Sequence, residues 1–465
     1  MRQLSATDNV MLLQETPKAP NVLGPVLICN PHTAPAGRIS FEQVLTGVAE
    51  RLHLAPMFRR RLVQVPLGLA KPYWTEDPDF DLEVHVRHLA LPAPGDWRQL
   101  CILIARLYGR PLDMARPPWE LYVIDGLDNV PGIPHGAFAL YLKIHHCAVD
   151  GGEGVQILTA LTGVDPAAEI APPRVEWLPG RLPSQWELLA RGLLDMPQRQ
   201  LARLELIGTA VPAIAKTAVR AVLGGDIGPS IPWTRFNGQV TAHRCYESIL
   251  FDLNEVKRVR AAVPGATVND VALAMVGGAL HRYLREHGEL PREPLSAAVP
   301  ISTRTDSSAP GGNMIEGTII EIGTDIEDDH ARLVAVSEAT TNIRARSGVG
   351  VRELVRMSDA LPGALLGPGM RSALNIAAAV GVAPIANTVV TNVPGPRVPL
   401  YFLGCEISAM HGTGPILDGL GLLHIVGSYQ NDLILSFVSC RTMMPDPAFY
   451  AACIRESFEA LTKAA

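Results

Sequence analysis

The residues best suited to chemistry in this chain are two adjacent histidines, His145 and His146, followed by Asp150 and Gly151. A neutral imidazole can accept a proton near pH 7, so one of these histidines could act as a general base. A metal site is the weaker interpretation, because HHxxxD comes without a second well-spaced cluster of ligands. The pattern therefore predicts proton transfer, with a purely structural histidine pair as the alternative.

The sequence places this pair at the end of a strand, where a loop begins, and predicts a helix after the loop. Residues 136–144 alternate apolar and other side chains, which is typical of a half-buried strand. After the glycines, apolar residues recur at helical spacing from Val155. Neighbours on a strand point to opposite sides, so one histidine should face a cavity while the other packs. The apolar face of the strand is predicted to hold Phe138, Leu140, Leu142 and Ile144.

Composition limits the class of protein. The chain has 465 residues, too many for a single small core, which predicts two domains. With 48% hydrophobic and 18% charged residues it is apolar for a soluble enzyme. Its net charge of −6 argues against a nucleic-acid partner. The uncharged stretch 372–396 contains asparagines and prolines, and is interpreted as buried core rather than a membrane span. Seven cysteines without a CxxC pair and an N-terminus without an apolar signal region favour a reduced, cytoplasmic protein.

The chain divides by composition into residues 1–165, 166–240 and 241–465. The middle part is punctuated by prolines, so we expect an interdomain connection there. Within it, residues 208–226 are almost uncharged. They form either an interfacial helix that touches lipid or a helix packed over the domain junction, and Pro212 favours the second.

Three arginines, Arg59, Arg60 and Arg61, could bind the phosphates of a coenzyme or form a solvated face, and the second is favoured. They and Arg304 are also the candidate partners of Asp150. Other predicted elements of the first domain are a strand over 22–29, a helix over 41–52 capped by Ser40, a helix over 97–108 and a strand over 121–124.

In the second half, Thr267 and Asp270 have the spacing of a capping box, which predicts a long helix starting there. Asn269 would lie in its first turn, beside the positive end of the helix dipole. Its amide could serve a binding site or simply cap the helix. A closing helix over 449–463 should bury Phe449 with Cys453 and Leu461.

The motifs together resemble a known family. HHxxxDG at 145–151 resembles the active-site motif of acyl-CoA-dependent acyltransferases with the chloramphenicol-acetyltransferase-like fold. WxxDPxFDLxxHVRH at 74–88, LPxPG at 91–95 and LDxxRPxWE at 112–120 precede it in the order typical of bacterial wax ester synthase/diacylglycerol acyltransferases. The chain departs from that pattern at Pro118, where leucine is usual, and also at Ala6 and Thr391, where proline and serine are common.

The resemblance continues through the second half. TVNDV at 267–271 corresponds to the family's Asn-Asp motif, residues 300–304 to its Pro-x-Ser-x-Arg element and residues 392–396 to its Asn-Val-Pro-Gly-Pro string. Gly312 and Asn313 correspond to a Gly-Asn element. By this resemblance, Gly151, Asp270, Arg304 and Asn313 are candidate substrate-binding residues, beside His145, His146, Asp150 and Asn269 as catalytic candidates.

The resemblance implies an α/β fold of two similar domains, each with a mixed sheet and helices, and a channel between them. His146 would take the proton from an alcohol, which attacks the thioester of an acyl-CoA, while Asn269 stabilises the oxyanion or orients a substrate. The implied acceptor is a long-chain alcohol or diacylglycerol. No metal and no cofactor are implied, and the enzyme could touch the inner membrane or a lipid droplet peripherally.

Three alternatives stay open. Cys147 adjoins His146 and could be a nucleophile, although adjacent side chains diverge. A condensation enzyme of the same superfamily would take its acyl group from a carrier protein, although the chain shows no carrier domain. A lipid-binding protein could keep the fold without catalysis, although HHxxxDG is intact.

Overall fold

A computed structural model describes residues 1–149, 153–174, 177–194, 231–302, 315–343 and 384–465. Within these ranges the α-helices are α1 (Ala6–Gln14), α2 (Phe41–Arg51), α3 (Leu82–His85), α4 (Trp97–Tyr108), α5 (Glu153–Leu161), α6 (Gln185–Leu194), α7 (Leu253–Ala261), α8 (Val268–Glu286), α9 (Asp329–Ile343) and α10 (Pro447–Ala464). No helix of these ranges combines the length and the apolar character needed to cross a bilayer.

The strands are β1 (Arg2–Gln3), β2 (Val22–Asn30), β3 (Arg60–Val63), β4 (Tyr73–Glu76), β5 (Val86–Ala90), β6 (Trp119–Leu127), β7 (Ala137–His145), β8 (Arg244–Asp252), β9 (Ser296–Ser302), β10 (Ile315–Glu321), β11 (Thr388–Pro394), β12 (Tyr401–Phe402), β13 (Cys405–Thr413), β14 (Leu422–Tyr429) and β15 (Asp432–Cys440). They form two mixed six-stranded sheets, in the orders β12-β13-β2-β7-β6-β5 and β10-β9-β11-β14-β15-β8, and a small sheet β1-β4-β3.

The first sheet contains strands from both ends of the chain. β13 pairs antiparallel with β2, so that Met410 lies opposite Leu27. On its other side β2 pairs antiparallel with β7, which in turn pairs with β6. The sheet therefore crosses the boundaries at 165 and 240, and those boundaries stay a prediction.

The strand that ends in the histidine pair is the most enclosed element of the first sheet. All nine residues of β7 are buried. Phe138, Leu140, Leu142 and Ile144 do share a face, in contact with the core under α2 and α5. The prediction of a half-buried strand was wrong, because the opposite face is covered too: Tyr141 on that face belongs to a core shared with the second sheet.

Helix α8 is the centre of the second half. Thr267 and Asp270 form the predicted capping box, with the Thr267 backbone N–H donating to the Asp270 carboxylate at 2.8 Å. The helix is buried nearly all round, in contact with α7, α9 and α10. Its approach to the chain after β10 is close enough that a Cβ on Gly277 would lie 1.9 Å from the carbonyl oxygen of Ile322.

Some local predictions need correction. The arginines at 59–61 are all half-buried rather than solvated. Phe449 remains 36% exposed, whereas Cys453 and Leu461 are buried as predicted. Residues 298–304 are predicted to follow a strand, but residues 298–302 lie within β9. The sequence also predicts helices over 199–223, 328–346 and 351–357. The first and the last of these, the end of the second and the apolar segment 208–226 lie outside the described residues.

Candidate active site

The first histidine of the pair, His145, is a structural residue by its contacts. It is fully buried, and both ring nitrogens have partners. Nδ1 accepts the backbone N–H of Cys147 at 3.1 Å, and Nε2 lies 3.1 Å from the carboxylate of Glu15. Because a backbone N–H can only donate, Nδ1 carries no proton, and the ring proton must be on Nε2. His145 is therefore a neutral imidazole that donates to Glu15.

The second histidine, His146, begins a single 3-10 turn, His146–Ala148, and the residue as a whole is half-buried. Its backbone N–H donates to the carbonyl oxygen of Asn21 at 2.8 Å. The ring Nδ1 is enclosed and finds no hydrogen-bond partner among the described residues. The pKa of His146 is lowered to about 4, mainly by burial and to a smaller extent by the neighbouring His145. At neutral pH the ring is uncharged, which is the form that a general base needs.

His145 is packed by its contacts, whereas His146 lies in the turn after the strand and is half-buried; a cavity in front of its ring stays a prediction. The turn that carries His146 is closed by the Val149 N–H, which donates to the His146 carbonyl oxygen at 3.2 Å. Its other end is capped by His145. The backbone of His146 is therefore fixed from the strand, from Asn21 and from the cap.

Cys147 is a poor nucleophile in this setting. It is buried at the edge of the core under α5. Burial raises the pKa of its thiol well above the usual value, and the charges of Asp8 and Glu15 raise it further. A protonated thiol is not the reactive form. The structure gives no support to a covalent acyl-cysteine.

Asn269 lies in the first turn of α8, half-buried, where its sequence position predicted it. Its Oδ1 accepts the Nδ2–H of Asn392 at 3.4 Å. The TVNDV and NVPGP strings, 123 residues apart, therefore meet through these two amides. Asn392 was not among the predicted site residues, although the string that contains it was noted. Among the described residues, no hydrogen bond of the Asn269 Nδ2 donor competes with this arrangement.

Asp270 is buried, and its carboxylate serves the capping box with Thr267. That contact gives it a structural function, and its role in substrate binding stays a prediction. The other predicted site residues cannot be placed: Asp150, Gly151, Arg304 and Asn313 lie outside the described residues.

The arginine run contacts an aromatic ring and a carboxylate among the described residues, and its pairing with Asp150 stays a prediction. The Arg59 guanidinium lies 4.5 Å above the ring of Trp177, and Arg61 lies 3.5 Å from Asp77. Burial lowers the pKa of Arg59. A stacked cation of this kind stabilises the loop after residue 174, and a phosphate contact by Arg60 or its neighbours stays a prediction.

Sequence reasoning missed Lys143, which lies two residues before the histidine pair. Its side chain is fully buried. The ammonium donates to the Arg110 carbonyl oxygen at 2.6 Å and to Glu120 at 3.4 Å. The same Glu120 carboxylate accepts the hydroxyl of Tyr122 at 2.6 Å. A lysine within an apolar run was the available signal, because such a residue needs a buried partner.

The fold compares well with solved acyltransferases. A wax ester synthase/diacylglycerol acyltransferase from Marinobacter aquaeolei VT8 matches with a TM-score of 0.69 and 25% identity, over 99% of this chain and 98% of that one. The first condensation domain of the calcium-dependent antibiotic synthetase matches with a TM-score of 0.56 over 99% and 97% of the two chains, at 15% identity, a likeness of fold alone. Two mixed sheets with HHxxxDG after a central strand define an acyltransferase of the chloramphenicol-acetyltransferase-like fold.

The family follows from the sequence comparisons. The model of the wax ester synthase/diacylglycerol acyltransferase catalytic domain matches residues 4–272, and that of the WS/DGAT C-terminal domain matches 311–462. A candidate diacylglycerol O-acyltransferase of Mycobacterium tuberculosis (strain CDC 1551) is 33% identical over 453 residues, 96% of this chain and 87% of the relative. The chain belongs to the wax ester synthase/diacylglycerol acyltransferase family, and it is an O-acyltransferase.

Proposed function

We propose that this enzyme transfers a fatty acyl group from acyl-CoA to the hydroxyl of a long-chain alcohol or a diacylglycerol, with His146 as the general base. The observation that carries the proposal is the environment of His146: an imidazole that is neutral at pH 7, on a backbone held from three sides, beside a histidine whose two ring nitrogens both have other partners. The names of its relatives supply the diacylglycerol acceptor and the wax ester product.

The reaction needs only proton transfer and positioning. His146 takes the hydroxyl proton as the alcohol oxygen attacks the thioester carbonyl carbon, and a tetrahedral oxyanion forms. The C–S bond then breaks, the ester leaves, and the CoA sulfur takes the proton from His146. No metal, no cofactor and no acyl-enzyme enters this sequence. A base of low pKa has a weaker pull on the proton, so orientation and oxyanion stabilisation must supply much of the rate.

Asn269 is the proposed partner for the oxyanion. Its Oδ1 is engaged by Asn392, which directs the Nδ2 donor elsewhere, and the first turn of α8 adds the positive end of a helix dipole. Loss of such a donor should lower kcat roughly 10²–10³-fold. A residue that only stabilises the helix would leave kcat near normal and cost about 1 kcal/mol of stability. Measuring kcat and melting temperature on Asn269→Ala separates the two.

The test of the base compares His146→Ala with His145→Ala. The first should lose acyl transfer while its circular dichroism stays that of the wild type, and the second should mainly lose stability or rate. Release of CoA is followed with an acyl-CoA offered a long-chain alcohol and a diacylglycerol together, and the products are separated by mass. A folded His146→Ala enzyme with wild-type turnover would refute the mechanism. Transfer only from a carrier-bound thioester would instead favour a condensation enzyme.

Both acceptors are lipids, so we also propose that the enzyme works in the cytoplasm in peripheral contact with the inner membrane or a lipid droplet. Flotation of the purified protein with phospholipid vesicles and with triacylglycerol emulsions tests this contact. Protein that stays at the bottom of both gradients would argue against it.

A further inference from the structure

The contacts behind His145 lead to a residue outside the HHxxxDG motif. Glu15 follows directly after helix α1 and is its C-cap. It lies 130 residues before His145 in the chain, yet its Oε2 is 3.1 Å from the His145 Nε2. The Glu15 side chain is only 16% exposed, and its second oxygen is buried without a partner among the described residues. Among the described residues, the Glu15 carboxylate thus accepts its hydrogen bond from the Nε2–H of His145.

The proton count on His145 makes this contact directional. Nδ1 must be unprotonated to accept the Cys147 N–H, so the ring donates from Nε2 and needs an acceptor there. Rotating or flipping the ring would leave both the Glu15 carboxylate and the Cys147 N–H buried without a partner. Buried groups of this kind are costly to leave unpaired, and the carboxylate therefore selects one tautomer and one ring orientation.

The orientation of His145 is transmitted to His146 through the backbone. The Cys147 N–H that His145 binds belongs to the 3-10 turn that starts at His146. Helix α1 packs against this turn, and Asn21 ties the two together: its side chain donates to the Met11 carbonyl oxygen at 2.7 Å, and its own carbonyl oxygen accepts the His146 N–H. The N-terminal helix is thus a brace for the turn.

We propose that Glu15 is a positioning residue for acyl transfer: its carboxylate fixes the Nε2–H tautomer of His145, and His145 in turn fixes the turn that aims His146. The inference rests on the proposed role of His146 as the base. Glu15 touches no substrate in this scheme, and it acts only through His145.

The experiment compares two substitutions of similar size. Glu15→Gln keeps an acceptor for the His145 Nε2–H, whereas Glu15→Met keeps the length and removes the acceptor. We expect Glu15→Met to lower kcat roughly 10- to 100-fold with little change in KM for acyl-CoA, since displacement of a reacting group by a fraction of an ångström to one ångström has effects of this size. Glu15→Gln should keep kcat within a few-fold of wild type.

A matched control separates positioning from simple loss of stability. Ser5 caps the other end of α1, accepting the Asp8 N–H at 3.1 Å. Ser5→Ala should lower the melting temperature while kcat stays near wild type. If Ser5→Ala and Glu15→Met lower kcat equally at equal loss of stability, Glu15 has no specific role and the inference is wrong.

A double-mutant cycle tests the route through His145. The combination of Glu15→Met with His145→Ala should be no slower than His145→Ala alone, because the second change removes the group through which Glu15 acts. Three results would each overturn the inference: the two reductions in kcat multiply fully in the double variant, Glu15→Met has a normal kcat, or Glu15→Gln is as slow as Glu15→Met. His146→Ala is measured in the same series: its activity decides the base assignment, and it stays inactive if only the inference about Glu15 fails.

Discussion

Mild acid should unfold this enzyme, because three of its histidines are buried in the neutral form. Burial lowers the pKa of His146 and His411 to about 4 and that of His424 to about 3. Nδ1 of His411 is 2.8 Å from the Ser248 hydroxyl, and His424 lies between two hydroxyl groups at 3.0 and 2.8 Å. None of these partners is a carboxylate that would favour the charged ring.

The size of the effect follows from proton linkage. In the unfolded chain a histidine has a pKa near 6.5, so between that value and about pH 4 the unfolded state binds protons that the native state does not. Stability therefore falls as the pH is lowered through this window. At pH 5 the loss is about 2 kcal/mol per histidine, or about 6 kcal/mol for the three, which compares with a total of about 5–15 kcal/mol for a typical domain.

The assay is denaturant unfolding followed by circular dichroism at pH 7, 6 and 5, with wild type beside His411→Asn. Asparagine can still accept a hydrogen bond from the Ser248 hydroxyl but cannot be charged. The free energy of unfolding of the variant should therefore change less with pH than that of the wild type, by about 1.4 kcal/mol per pH unit, the slope that one titrating group contributes. His135→Asn, at a side chain 84% exposed, is the control and should keep the wild-type dependence. A free energy of unfolding that is constant from pH 7 to 5, or an unchanged slope in His411→Asn, would refute this reasoning.

Three further substitutions test other contacts. Lys143→Met removes the buried cation beside Glu120 and should cost about 3 kcal/mol in urea unfolding, as expected when one partner of a buried pair is lost; an unchanged midpoint would mean that the pair contributes nothing. Cys147→Ala should keep substantial activity, and intact mass should show no acyl-enzyme during turnover; a trapped thioester at this residue would contradict both. Gly277→Ala should lower the melting temperature although alanine is the better helix former by about 1 kcal/mol, because its Cβ would meet the Ile322 carbonyl oxygen at 1.9 Å; a stabilised variant would show that the helix can shift.

Elements whose signals are local in sequence could be predicted well. The caps at Ser40 and Thr267 form as expected, because each side chain binds an N–H three residues on. Helix α4 has the predicted ends. Alternation over 136–144 predicted the strand and helical spacing from Val155 predicted the following helix, since both signals are read over a few residues.

Features that depend on distant partners could not be predicted. Tyr141 reads as an exposed position by alternation, but it is buried because the second half covers it, with Thr413 3.3 Å from its hydroxyl. Phe449 fits an apolar stripe, yet it lies at the surface against the rings of Tyr283 and His287. Nothing in the local pattern connects Glu15 with His145, because a hydrogen bond across 130 residues leaves no periodicity.

The place of β13 in the first sheet has a consequence for biosynthesis. This strand pairs with β2, so Leu27 is synthesised long before Met410, the residue that lies opposite it in the sheet. Until then β2 is an open edge of apolar residues, and such edges recruit other chains into aggregates. A chain stopped after residue 272, the end of the catalytic-domain match, would keep that edge for good. The two halves should therefore be inherited, expressed and degraded as one unit, and a nascent chain of this enzyme should need chaperone protection until nearly nine-tenths of it has been translated.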